Sequence, residues 1–123
     1  MNPRTIRLLR DHNFGWSFLR SDTEALDTLV YVWREPQHQF IDEELDGLRK
    51  KFVEDATNLL ESIDTHTFVV HGTGATRMSV PSEWEDRIPG RFFEVVKEMN
   101  TLSAAAYASY DHLIQRARQK LEA

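Results

Sequence analysis

The apolar positions of this chain follow a helical rhythm over most of its length, and the longest such run is its last quarter. Between Gly90 and Leu121 one row, Phe92, Val96, Met99, Ala106, Tyr110, Leu113 and Ala117, recurs at spacings of three, four or seven residues. A second row, Phe93, Val95, Leu102, Tyr107, Ile114 and Leu121, widens it on either side. Side chains three and four apart share one face of a helix, and no proline or glycine follows Gly90, so the pattern predicts one long amphipathic helix over 90–121. At a rise of ~1.5 Å per residue it would be about 48 Å long. A compact domain of this chain length is only roughly 35 Å across. The helix must overhang its own globule, bend, or lie against a second chain. A bend is expected near Asn100–Ser103, where poor helix formers gather.

A second long helix is expected over 42–64. Asp42 suits its cap, Glu43 and Glu44 place negative charge at the positive end of its dipole, and Leu45, Leu48, Phe52, Ala56, Leu59 and Ile63 form its stripe. A shorter helix over 22–34 would start at the capping-box spacing Ser21…Glu24, carry Leu26, Leu29, Val30 and Trp33, and stop before Pro36. The N-terminal stretch supports two readings: a helix begun by Asn2-Pro3, or an extended arm in which Phe14, Trp16 and Phe18 alternate.

Between the long helices the pattern changes. Thr65–His71 is rich in β-branched residues, Gly72-Thr73-Gly74 is a turn, and 75–80 can return as a partner strand. The N-terminal aromatic segment could add a third strand. Two strands alone would be marginal, so the hairpin is expected to lie on the helices. Ser82 and Glu85 repeat the capping-box spacing around Trp84. The expected fold is α+β and predominantly helical: two long antiparallel amphipathic helices, a shorter N-terminal helix, and a small β-hairpin inserted between the long ones, in a single domain spanning 1–123.

Composition narrows the function classes. Apolar residues make up 41% and charged residues 28% of the 123, ordinary for a chain that buries one core. The net charge of −5 argues against nucleic acid held by bulk charge. The absence of cysteine removes disulfides, thiolate metal sites and thiol nucleophiles. No apolar run approaches the ~20 residues of a membrane span, and the charged N-terminus is unlike a signal peptide, so a cytoplasmic protein of bacterial type is expected.

Candidate chemistry is sparse. His66 and His71 would point to opposite faces of a strand, and no other histidine pair has the i, i+4 metal spacing, so neither a metal nor any other cofactor is expected. The run 71–77, HGTGATR, lacks the lysine and the following helix of a phosphate loop and reads as a hairpin turn. The acidic cluster Asp42, Glu43, Glu44 and Asp46 reads as solvated dipole compensation. Arg7 and His12 match the arginine–spacer–histidine pattern of a class of helical ribonucleases, a pattern that this many arginines produce by chance. Trp33 and Trp84 are candidate contact anchors, and His71, Arg77 and Trp84 could line a ligand pocket between hairpin and helices.

Ala104, Ala105, Ala106 and Ala108 would let another helix approach closely, either an internal one or that of a second copy. The leading functional expectation is a non-catalytic interaction module with an accessory or regulatory role. It would self-associate as a homodimer through the final helix, with Met99, Ala106, Tyr110 and Leu113 at the seam, bind an unidentified protein, or both. A ribonuclease-like enzyme using Arg7 and His12, and a small-ligand binder, are the alternatives.

Overall fold

The computed structural model describes residues 1–35, 40–70, 74 and 76–122. They form five helices and a three-stranded antiparallel sheet. Helix α1 is Pro3–Arg10, started as its first two residues predict: Asn2 accepts the Arg4 N–H at 2.8 Å and Pro3 occupies the first turn. Thr5, Leu8 and Leu9 face inward. The aromatic segment that follows is mostly irregular, but Phe18–Leu19 forms strand β1.

Helix α2, Arg20–Arg34, starts without the expected capping box. Ser21 lies inside the helix, because β1 runs directly into it and the Arg20 N–H is satisfied at 3.0 Å by the carbonyl of Thr76. Glu35 leaves the helix in extended conformation, as the residue before Pro36 must.

Helix α3, Glu43–His66, is capped by Asp42, whose side chain accepts the Leu45 N–H at 3.0 Å. It runs slightly past the expected end near 64. Phe52, Ala56, Leu59 and Ile63 are buried as expected, whereas Leu45 and Leu48 are only half-buried. Their place in the first turns is taken by Asp46 and Arg49, an ion pair at 2.8 Å with both side chains buried. Arg49 also donates to the carbonyl of Trp33, and Asp46 accepts the Phe40 N–H at 3.1 Å. Asp46 is therefore an internal tie between α3 and the end of α2, not a solvated charge.

Strand β2, Phe68–Val70, and strand β3, Arg77–Ser79, pair antiparallel, and β3 is central, with β1 on its other side. Met78 is paired with both Phe18 and Val69, and Arg77 with Leu19 and Val70. The third strand anticipated from the aromatic segment is thus present. The hairpin covers the helices less than expected, since Phe68 and Val69 on the outer strand are exposed.

Helix α4, Glu83–Arg87, also lacks its capping box: Ser82 is already in helical conformation and makes no side-chain cap. Helix α5, Pro89–Glu122, is the longest element, about 51 Å from its 34 residues. Phe92, Val95, Met99, Ser103, Ala106 and Leu113 are its buried positions. Asn100 and Ser103, poor helix formers, serve tertiary contacts. Ser103 Oγ donates to the Leu9 carbonyl at 2.7 Å, and Asn100 Oδ1 accepts the Phe14 N–H at 2.9 Å. The first bond satisfies a carbonyl that the end of α1 would leave orphaned.

The most extensive helix contact is between α3 and α5. Ser62 donates to Glu98 at 3.1 Å, and Arg116 and Lys120 reach Glu44 and Asp42 at 2.7 and 2.6 Å. The end of α3 therefore meets the first half of α5, and its start meets the last turns of α5. Between them, Phe52 packs edge-on against Trp33 and tilted against Tyr110.

Candidate functional site

Two clefts concentrate what this surface offers. The larger, about 920 Å³, lies along the outward face of the first half of α5. Its floor is Phe92, Val96, Asn100 and Ala104, the turn Asn13–Trp16 flanks it, and Glu85 of α4 also lines it. The turn is pinned to the helix. Asn13 Oδ1 accepts the Gly15 N–H at 2.9 Å and the Asn100 Nδ2–H at 3.2 Å. A Cβ added at Gly15 would sit 3.2 Å from that same Asn13 oxygen, so the close turn favours glycine. Phe14 and Phe18 turn inward and are buried, which leaves Trp16, between them in the alternation, 72% exposed. Phe93, next to buried Phe92, is 60% exposed. Large aromatics this exposed at the edge of one groove are unusual for a surface with no partner.

The outward stripe of α5 continues past the groove. Phe93, Lys97, Asn100, Ala104, Ala108 and Asp111 fall at spacings of three, four or seven. Ala104, Ala105 and Ala108 are exposed, while Ala106 alone of the cluster is buried.

The smaller cleft, about 490 Å³, lies between α1, the turn after it, the start of α2 and β3. Arg7 and His12 both border it, as do Arg77 and Ser17. The His12 ring packs edge-on to Phe14 and Phe18, at centroid separations of 4.8 and 5.7 Å. Its Nε2 lies 3.2 Å from the Trp16 carbonyl. Burial lowers the pKa of His12, nearby Arg77 lowers it further, and the Trp16 carbonyl opposes both. Since the Trp16 carbonyl can only accept, Nε2–H donates to it, and in the neutral ring Nδ1 is left as an acceptor.

The residues expected at a ligand site do not converge. Trp33 is half-buried against Phe52, Arg77 borders the smaller cleft, and Trp84 borders a third cavity beside the hairpin. His71 lies outside the described residues. Of the expected seam residues, Met99, Ala106 and Leu113 are buried inside the chain and Tyr110 is half-buried against Phe52. A second copy cannot reach the three buried ones in this fold, because α5 turns that row toward α1 and α3. A contact between copies made through α5 would have to use residues other than these three. Trp16 and Phe93 escaped the sequence reading, although each carried a signal, being the odd member of an aromatic alternation or pair.

Among the described residues no three histidine, aspartate or glutamate side chains are grouped closely enough to hold a metal ion. Compared with known proteins, the chain matches no family model, no curated relative and no solved structure.

Proposed function

We propose that the protein is a non-catalytic, single-domain interaction module of the cytoplasm that self-associates through the outward face of α5. In this reading the antiparallel pair of long helices, α3 and α5, is the frame that presents the face, and the chain acts as an accessory or regulatory component. The observation that carries the proposal is the groove flanked by exposed Trp16 and Phe93, with small Ala104 on its floor. Tryptophan and other large aromatics are the usual anchors of protein interfaces, and small residues let helices approach closely.

The occupant we favour is a second copy of this chain, because the stripe is complementary to itself. A two-fold contact is isologous, so positions equally far on either side of its centre face each other across antiparallel helices. Ala104 is the small residue at which two helices could cross. Lys97 lies seven residues before it and Asp111 seven after it, so a crossing there sets each lysine opposite the other copy's aspartate. The same register sets Asn100 opposite Ala108.

The test is the solution mass of the wild-type chain and of Ala104→Glu across a dilution series. The reading predicts a wild-type mass near twice 14.4 kDa that falls on dilution. The variant should stay at the single-chain mass with an unchanged circular dichroism spectrum. Equal masses for the two proteins at every concentration would defeat it.

A further inference from the structure

The smaller cleft has a charge arrangement that self-association leaves unexplained, and none of its lining residues borders the α5 groove. Two carboxylates stand there, and each already has a cation. Asp11 is gripped by Arg10 through two bonds of 2.9 Å, which hold its carboxyl below the usual range. Asp22 pairs with Arg4 at 3.4 Å. Arg7 and Arg77, in contrast, have no carboxylate within ion-pair range among the described residues. On a chain of net charge −5, the cleft therefore sets three arginines, Arg4, Arg7 and Arg77, against two carboxylates; Arg7 also acts on Asp11 from beyond ion-pair range, and Arg77 has no carboxylate in that range among the described residues. Such a concave local field attracts anions.

The two arginines differ in how they are held. Arg77 is positioned: its Nε donates to Ser17 Oγ at 2.9 Å and one terminal nitrogen, Nη2, donates to the Ser17 carbonyl at 3.0 Å. Its Nη1 is left with no acceptor among the described residues. Arg7 is tied less tightly, with a single long bond of 3.4 Å to the Pro3 carbonyl. One firmly held and one less tightly held guanidinium, from β3 and α1, can approach an oxyanion from two directions. A phosphate, with three peripheral oxygens and nearly two charges, meets that demand better than a planar monocarboxylate. Buried Leu8 and Phe18 supply an apolar wall, and 490 Å³ is more than a bare oxyanion fills. It falls within the range of about 300–1,000 Å³ common for small-molecule sites.

We propose that this cleft binds a small organic phosphate monoester, with Arg7 and Arg77 on the phosphate and the Leu8–Phe18 wall against the organic part. His12 borders the same space and reports occupancy. Burial disfavours the protonated form of this ring and a neighbouring anion favours it, so the ring's pKa should rise on binding.

The experiment is an NMR titration of the isotope-labelled chain at constant ionic strength, following the His12 ring and the Ser17 and Leu8 signals. The probes are adenosine 5′-monophosphate, inorganic phosphate and a short single-stranded oligonucleotide. Saturable shifts of these signals by the monophosphate are expected, with a raised His12 pKa and weaker binding of inorganic phosphate. Arg7→Gln, at an exposed position, should weaken binding about tenfold or more, as loss of a charge-assisted contact does. Arg77→Gln should do the same where its spectrum shows a retained fold, and Arg118→Gln, outside the cleft, should change nothing. Three results would overturn the assignment: no saturable shift at the cleft, monophosphate binding indifferent to Arg7→Gln, or binding of the oligonucleotide without the monophosphate. Inorganic phosphate bound as tightly as the monophosphate would overturn the role given to the apolar wall.

Discussion

Met99 and Phe93 lie six residues apart on the same helix and end in opposite environments. Met99 is fully buried, on a row that meets α1 and α3, while Phe93 stands 60% exposed beside Trp16. The inward row is apolar but for Ser103, whereas the outward one mixes Phe93 and two alanines with Lys97, Asn100 and Asp111. They also differ in where the partners come from: α3 approaches one side along most of the helix, whereas among the described residues the outward side has only the turn Asn13–Trp16 and α4 near its start. An apolar row with an internal partner contributes to folding. The outward row, in the proposed function, is a surface for another molecule. The length of α5, which by itself suggested an overhang, is largely accounted for inside the chain. Buried positions run from Phe92 to Leu113, and the ion pairs to α3 continue to Lys120.

The sharpest way to separate the two faces is to truncate one residue on each. Met99→Ala opens a cavity in a core with no solvent access and should lower unfolding free energy by about 2–5 kcal/mol in chemical denaturation. Trp16→Ala should leave stability within about 1 kcal/mol, since surface changes away from packed features are small. It should instead weaken association by about 2 kcal/mol, the effect of losing an interface anchor, seen as a raised dissociation constant in sedimentation. Trp16→Ala destabilising as much as Met99→Ala, with no effect on mass, would erase the distinction.

A smaller effect tests the register of the contact. Lys97→Asp and Asp111→Lys should each weaken association several-fold by setting like charges opposite one another, and the double exchange should restore most of it. Asp111 also accepts a bond from Gln115 at 2.7 Å, so the fold of each single variant is checked first by circular dichroism. Failure of the double exchange to restore association would move the crossing away from Ala104.

The smallest expected effect concerns the charged end of the inner face. Hydrogen bonds from Arg116 and Lys120 pull the Glu44 carboxyl from its ordinary 4.5 down to about 2. As pH falls, the unfolded chain takes up this proton first. The contribution is therefore complete above the ordinary carboxylate range and is lost as pH drops from 4.5 toward 2. Glu44→Gln should flatten the acid limb of the stability–pH curve slightly, and added salt should reduce the difference because the pair is exposed. An acid limb unchanged by the substitution at low salt would show that the pair contributes nothing.

Local chemistry was the readable part of this fold. Asn2-Pro3 and Asp42 start helices because their side chains reach their own backbone, and the β-branched run before Gly72 pairs with the segment after it. Where a distant group intervenes, local rules failed. The Ser21 box is displaced because the Arg20 N–H finds Thr76, and Asp46 is drawn inward by Arg49 and the Trp33 carbonyl beyond it. Asn100 and Ser103 looked like a weak point in α5 and are instead its contacts to Phe14 and Leu9. The same limit governed the sites. Arg7 and His12 are near in sequence, but Ser17 and Arg77 join them only through the pairing of β1 with β3. Trp16 became legible once Phe14 and Phe18 were seen to turn inward.

We propose that the outward face of α5, which among the described residues meets only the turn Asn13–Trp16 and α4, finds its partner in a second copy. Light scattering after size exclusion, on the wild-type chain over a wide concentration range, tests it most directly. The account predicts a mass approaching twice 14.4 kDa at high concentration and falling on dilution. A mass of 14.4 kDa at every concentration would contradict it.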